Sequence, residues 1–366
     1  MQTDTLYKKA FEKDNLTVEE AEYLFREAPL SELMGVADTL RWQAVGRNEV
    51  TWQIDRNVNI TNVCISGCKF CNFHCKPHQT ERAYITTPDE CARKIEETLA
   101  LNGDQLLLQG GLHPKLDVVW YENLFRELKR RYPQIKLHAL GPPEVFHVAR
   151  ISGIDAESAL RRLMEAGLDS FPGAGAEILD NEVRKRISPG KCSADQWIDV
   201  MASAHRLGLA TSATMMYGHV ETVRQRMEHL IKIRDLQARK PEGTYGFIAF
   251  IPWIYRGDGT VLEKEGISGR FSPAEYLRTI AVSRIVLHNI RNIQASWLTV
   301  GKPMAQLALH AGANDMGSIM IEENVVSSAG ANHCFDAEGI QQAIREAGFE
   351  PRLRNQKYEY RDLTER

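Results

Sequence analysis

The chain changes its hydrophobic rhythm near residue 50. Up to about residue 45 apolar positions recur at helical spacing. "LTVEEAEYLF" carries a capping box, Thr17 as N-cap and Glu20 three residues on, followed by Val18, Ala21, Leu24 and Phe25. Ser31 is expected to start a second helix through "SELMGVADTLRW". From about residue 50 short apolar or β-branched runs alternate with amphipathic stretches. The runs lie at 57–63, 104–111, 136–143, 168–173, 209–218, 245–253, 292–297 and 313–320. Helical stretches follow each, from "PDECARKIEETLAL" to "EGIQQAIREAG". Eight such alternations predict parallel strands joined by crossover helices. A (β/α)8, TIM-like barrel fits them, with a doubly wound open sheet as the rival. Most runs end in polar, glycine or proline clusters such as "QGG", "GPP", "PGAGAE" and "ASW". Those ends are the face on which barrels build active sites. The expected organisation of this α/β chain is an N-terminal helical extension over 1–48 and a barrel over 49–366.

Composition narrows the class without naming a chemistry. The 366 residues are 43% hydrophobic and 25% charged, with a net charge of -3. That balance gives no electrostatic reason to bind nucleic acid. No apolar run approaches the roughly 20 residues of a membrane span, and the polar start "MQTDTLYKKAFEKDN" lacks a secretory apolar core. A cytoplasmic location is expected, where thiols stay reduced.

Four of the seven cysteines crowd into "NVCISGCKFCNFHCKPH". Cys64, Cys68 and Cys71 form C-x3-C-x2-C on the loop after the first strand, and Cys75 follows. A disulfide staple fits badly with a reducing compartment and an odd thiol count. Four zinc ligands within twelve residues would be cramped. Ferredoxin-type runs are dense too, but spaced C-x2-C-x2-C. Three thiolates on one short loop can instead hold three corners of a cubane cluster and leave the fourth iron open.

"CISGCKFC", with an aromatic residue just before the last cysteine, resembles the radical S-adenosylmethionine signature. The resemblance implies a [4Fe–4S] cluster on Cys64, Cys68 and Cys71, with S-adenosylmethionine on the open iron and Cys75 outside the pattern. It also implies that Gln109-Gly110-Gly111 meets the methionine amino group through its backbone, and that Glu177 holds the adenosyl ribose hydroxyls. A turn, for the glycines, and a helix N-terminal charge, for Glu177, are the plainer readings. Arg184, Arg186 and Lys191 are candidates for the methionine carboxylate, with a solvated helix face as the alternative. "TMMYGHVET" offers Tyr217, His219 and Glu221 to the barrel mouth, and Trp253, Gln294, Trp297, Glu322 and Glu323 come from later strand ends.

"LLLQGGLHP", "HALGPPEV", "SFPGAGAEIL", "RISPGK", "AFIPW", "QASW" and "GSIMIEENV" occur in order along the chain. Together they resemble the futalosine and deazaflavin-precursor branch of these radical enzymes. "QASW" with "GSIMIEENV" is most similar to members that cyclise dehypoxanthine futalosine on the way to menaquinone. Aminofutalosine synthase is the sibling alternative, and a zinc-stabilised binding protein the alternative from another class. Cyclising members read "CAFYR" from the third cysteine; this chain reads "CNFHCKPH". The implied chemistry is hydrogen abstraction from C4′ of the substrate sugar by a 5′-deoxyadenosyl radical, then ring closure. A final deprotonation would fall to His219 or Glu221, with Glu322 behind them. Arg256 is a candidate for the substrate carboxylate. The implied partners are the small-molecule substrate and a one-electron donor such as a flavodoxin or ferredoxin.

Overall fold

The computed structural model describes residues 2–362 apart from 47, 270 and 332. Three helices open the chain: Thr3–Glu12, Val18–Glu27 and Leu30–Val45. Thr17 and Glu20 close the expected capping box on each other's backbone. The third helix starts at Leu30, one residue before Ser31 and directly after Pro29. Gly46, in the left-handed region at φ +69°, ends it. The second and third pack against two barrel helices, Val223–Ala238 and Pro273–Val286, and the first against the second. Arg278 anchors them by donating to the carbonyls of Phe25 and Ala28.

Ten strands follow in order: β1 (Glu49–Gln53), β2 (Asp55–Asn59), β3 (Gln105–Gln109), β4 (Lys136–Ala139), β5 (Leu168–Phe171), β6 (Ala210–Tyr217), β7 (Gly246–Ile254), β8 (Asn292–Ile293), β9 (Asp315–Ser318) and β10 (Glu350–Leu353). Strands β2 to β8 lie side by side in sequence order, all parallel. β9 and β10 flank β1 in a second parallel group.

Backbone bonds join the two groups. Asn314 N–H donates to Ile293 at 3.0 Å and Ala295 N–H to Asp315 at 2.8 Å, linking β8 to β9. Ile319 N–H reaches Gln53 at 3.1 Å and Ile321 N–H reaches Asp55 at 3.2 Å. β1 and β2 are therefore one stave, broken only at Ile54, and eight staves close a TIM-like barrel. β10 adds a short strand outside the ring, beside β1.

The eight expected helical stretches all form, with Val118–Arg131 typical: Asp117 caps its start and three basic residues fill its last turn. Four shorter helices are added among the described residues, Pro142–Ile151, Asn181–Ile187, Val261–Lys264 and Trp297–Val300, the first of them in the "PPEVFHVARI" stretch. Its prolines sit in the first turn, where a missing N–H costs nothing. Their pattern reads equally as the end of a strand.

Candidate active site

The C-terminal ends of the strands surround a cavity of about 400 Å³. One wall is the loop after β2. Its two ends are tied together: Cys64 N–H donates to Cys75 O at 2.9 Å, and Cys75 N–H donates to Asn62 O at 2.8 Å. Cys75 is thereby buried in the closure of the loop and does not line the cavity, whereas Cys64, Cys68 and Cys71 do.

Polar hydrogens point at these sulfurs. Leu112 N–H donates to Cys64 Sγ at 3.2 Å. Ser66 Oγ stands between two thiols, 2.9 Å from Cys64 Sγ and 3.2 Å from Cys68 Sγ. Burial pushes the Cys68 thiol up to about 12 even though the charge of Lys191 pulls the other way. Burial also raises Cys71, against the pull of backbone N–H groups from His74 and Phe73. Three thiols on one short loop that face one cavity, Cys64 and Cys68 buried and Cys71 half-buried, suit an iron cluster, whose positive charge would offset the burial that raises Cys68 and Cys71. They are not gathered around a single ion: among the described residues no three His, Cys, Asp or Glu side chains are so grouped. All seven cysteines are unpaired, so no disulfide staples the loop.

Gln109 ends β3, Gly110 and Gly111 follow it, and all three line the cavity beside this loop. A Cβ on Gly111 would stand 2.2 Å from Val63 O and 2.8 Å from Cys64 Cβ. Bare glycine there lets β3 press directly on the cysteine loop. Gly110 N–H donates to Glu144 Oε1 at 2.9 Å. Burial raises the Glu144 carboxyl to about 8, more than that N–H and Lys191 lower it. Glu144 also lines the cavity.

Glu177 sits in the loop after β5 at φ +46°, a strained backbone for a residue with a Cβ. It is not a helix N-terminal charge, because the next helix starts at Asn181 and is capped by Asp180. Its side chain is buried in the cavity wall and paired with Lys191, whose Nζ also lies 5.2 Å from the centre of the Phe70 ring. Burial raises the Glu177 carboxyl, but Lys191 outweighs that and holds it below its usual range. Arg184 is buried as well and braces the loop from behind, donating to Ala176 O at 2.6 Å and Cys192 O at 2.7 Å. Arg186 is exposed.

The residues expected to act as bases lie elsewhere. His219 and Glu221 are fully buried outside the cavity lining. Glu221 accepts from Gly218 N–H at 2.6 Å, His219 N–H at 3.0 Å and Arg226 Nε at 2.6 Å. His219 Nε2 lies 3.0 Å from Met216 O. Both therefore fix the turn after β6, a structural job in place of the catalytic one. Tyr217 is buried beside Arg226, 4.8 Å from ring centre to guanidinium. Glu322 is held by Arg56 at 3.0 Å and by Lys94, away from the cavity. Its neighbour Glu323 faces the cavity, yet accepts three backbone N–H groups, from Val325, Val326 and Ser327, each at 2.8 Å. Arg256 bonds Gly330 O and lies outside the lining. Gln294, Trp253 and Trp297 do face it.

The barrel floor supplies residues that pattern reading passes over. Arg354, Gln356 and Tyr358 come from the segment after β10 and line the cavity from below. Arg354 clamps Asp315 at 2.6 and 2.9 Å. The charged look of "EPRLRNQKYEY" disguises this buried role.

Residues 58–233 match the model of the Radical SAM superfamily, and residues 244–366 match the CofH/MqnC C-terminal region. The chain is 46% identical to "Cyclic dehypoxanthine futalosine synthase" of Streptomyces coelicolor, over 94% of this chain and 85% of that one. The chain belongs to the radical SAM superfamily. A second protein of the same name, from Halalkalibacterium halodurans, is 38% identical over 98% of this chain and 95% of its own. "5-amino-6-(D-ribitylamino)uracil--L-tyrosine 4-hydroxyphenyl transferase 2" of Methanosarcina mazei is 41% identical over 88% of this chain and 82% of its own. The crystal structure of methylornithine synthase superposes with a TM-score of 0.71 at 20% identity, over 94% of this chain and 97% of that one, a likeness of fold. Radical SAM enzymes use a [4Fe–4S] cluster and S-adenosylmethionine. No helix among the described residues is long and apolar enough to cross a membrane.

Proposed function

We propose that this enzyme converts dehypoxanthine futalosine to cyclic dehypoxanthine futalosine in menaquinone biosynthesis. The observation that carries the reading is the 46% identity, over nearly the whole chain, to a relative of that name. Cys64, Cys68 and Cys71 hold the cluster, since these three thiols and not Cys75 face the cavity. Gln109, Gly110, Gly111 and Glu177 take the S-adenosylmethionine beside them. Bound at these residues, the cluster and S-adenosylmethionine would supply the one-electron chemistry needed to take a hydrogen from C4′ of the substrate sugar.

The protein's share is placement. The closed barrel holds the sugar at one depth and keeps water out. Trp253 and Trp297 give flat apolar faces for the benzoate ring. The proton released on rearomatisation needs an acceptor facing the cavity. Glu177 is paired with Lys191 and the Glu323 oxygens are taken up by backbone donors, which leaves Asp55 and Glu144 among the described carboxyls of the lining. Seven unpaired thiols suit a reducing, cytoplasmic setting, where an external flavodoxin or ferredoxin provides the electron.

The test is a substrate panel. The reconstituted, reduced protein is incubated without oxygen with S-adenosylmethionine and dehypoxanthine futalosine, the enolpyruvyl benzoate used by aminofutalosine synthase, or the ribityl-uracil and tyrosine pair. Only the first is expected to react, giving a product two hydrogens lighter than the substrate. Turnover of either other substrate in its place would assign the chain to a sibling activity.

A further inference from the structure

Barrel interiors are ordinarily filled by branched apolar side chains. One stave here is different. Gln53, Asp55, Asn57 and Asn59 alternate along β1 and β2, are all buried, and all line the cavity. Alternation places them on one face at steps of about 6.6 Å. Three of the four have protein partners. Gln53 donates to Asp55 Oδ2 at 2.8 Å and accepts from Arg354. Asp55 also accepts from Gln105 at 3.1 Å. Asn59 accepts from Asn324 at 3.2 Å. Asn57 is the exception: its residue is 5% exposed, and its Oδ1 has no partner among the described residues.

The depth of Asn57 follows from the strand register. Asn59 pairs with Gln109, level with the glycines beside the cysteine loop. Asn57 pairs with Leu107, and Leu107 with His138, both of which face the cavity. Asn57 is thus one step of about 6.6 Å further from the cysteines than the Gln109 level. A ligand held at the glycines leaves that deeper level to a second molecule.

We propose that Asn57 binds the hydroxylated sugar of the substrate and sets the depth of its reacting carbon. Its Oδ1 accepts from one hydroxyl and its Nδ2 donates to the oxygen of the next, a pairing that a carboxamide makes with a diol and a carboxylate does not. This rests on the reading that the substrate is dehypoxanthine futalosine, whose C4′ belongs to that sugar.

The test uses cluster-loaded protein with the cluster left oxidised, so that no turnover occurs. Affinities for S-adenosylmethionine and for dehypoxanthine futalosine are measured separately, by fluorescence of the cavity tryptophans and by calorimetry. The wild type is compared with Asn57→Leu and with Asn57→Thr, which suits a strand if leucine does not fold. A substrate analogue lacking one sugar hydroxyl completes a double-mutant cycle. Substrate affinity is expected to fall roughly tenfold or more, S-adenosylmethionine affinity to stay, and the deoxy analogue to bind the variants about as well as the full substrate does. Unchanged substrate affinity, a loss that falls on S-adenosylmethionine instead, or fully additive losses would overturn the proposal. A wild type that binds no dehypoxanthine futalosine would sink the functional reading and the proposal with it.

Discussion

Lys191 Nζ lies 2.5 Å from Glu177 Oε1, the glutamate buried and the lysine half-buried in the cavity wall. The pair ties the loop after β5 to the segment that follows Ile187, and that segment touches the cysteine loop through Gly190 N–H and Ser66 O at 2.8 Å. Removing the lysine alone strands a buried carboxylate, which typically costs about 3–5 kcal/mol. Lys191→Met is therefore expected to lower the urea midpoint strongly. Adding Glu177→Gln to it is expected to restore most of the loss. A double variant as unstable as the single one would place the effect in packing rather than charge.

Glu221 gives a pH signature. Burial raises its carboxyl, but His219, Arg226 and the Gly218 N–H outweigh that and bring it down to about 2 from an ordinary 4.5. A lowered carboxyl stabilises the fold fully above its ordinary value, and the contribution is lost as the pH falls through the lowered one. The displacement amounts to roughly 3 kcal/mol. Wild-type stability in urea is expected to drop between pH 5 and pH 2, and Glu221→Gln to be less stable at pH 7 with a flatter profile below pH 5. Parallel profiles would contradict the assigned pairing.

The cysteines divide three to one. Cys64→Ala, Cys68→Ala and Cys71→Ala are each expected to lose the visible absorption and most of the iron and sulfide after reconstitution. Cys75 serves the loop through its backbone, so Cys75→Ala is expected to keep a full iron and sulfide complement. Iron loss in the Cys75 variant equal to the other three would contradict the division.

Gly111 is needed for closeness to protein rather than for freedom of φ. Gly111→Ala drives a Cβ into Val63 O, so a destabilisation of roughly 1–3 kcal/mol and a fall in cluster content are expected. Gly35, inside a helix with nothing within 4 Å of its absent Cβ, is the control. Gly35→Ala is expected to be neutral or slightly stabilising. Denaturation midpoints and iron assays read both.

Much of this architecture is written in local pattern. The eight staves and their helices follow from apolar runs alternating with amphipathic ones, and the cysteine spacing needs only the loop that holds it. Other parts depend on partners far away in sequence. β10 looks like a solvated edge, with Glu350, Pro351 and Arg352 in a row, and only its pairing with β1 makes it a strand. His219 and Glu221 look like a catalytic pair in "YGHVET". Arg226, one helical turn on, shows that the Glu221 carboxylate is spent on the turn itself. The polar stripe on β2 is an alternation that reads as a strand with one wet face; closure of the barrel turns that face inward.

The central claim is abstraction of hydrogen from C4′ of dehypoxanthine futalosine, and deuterium at that carbon tests it most directly. The reconstituted, reduced enzyme is given S-adenosylmethionine and C4′-deuterated substrate, and the 5′-deoxyadenosine formed is weighed by mass spectrometry. One deuterium in the 5′-deoxyadenosine, together with the cyclised product, is the expected result. 5′-Deoxyadenosine that forms without deuterium while the substrate is returned unchanged would contradict it.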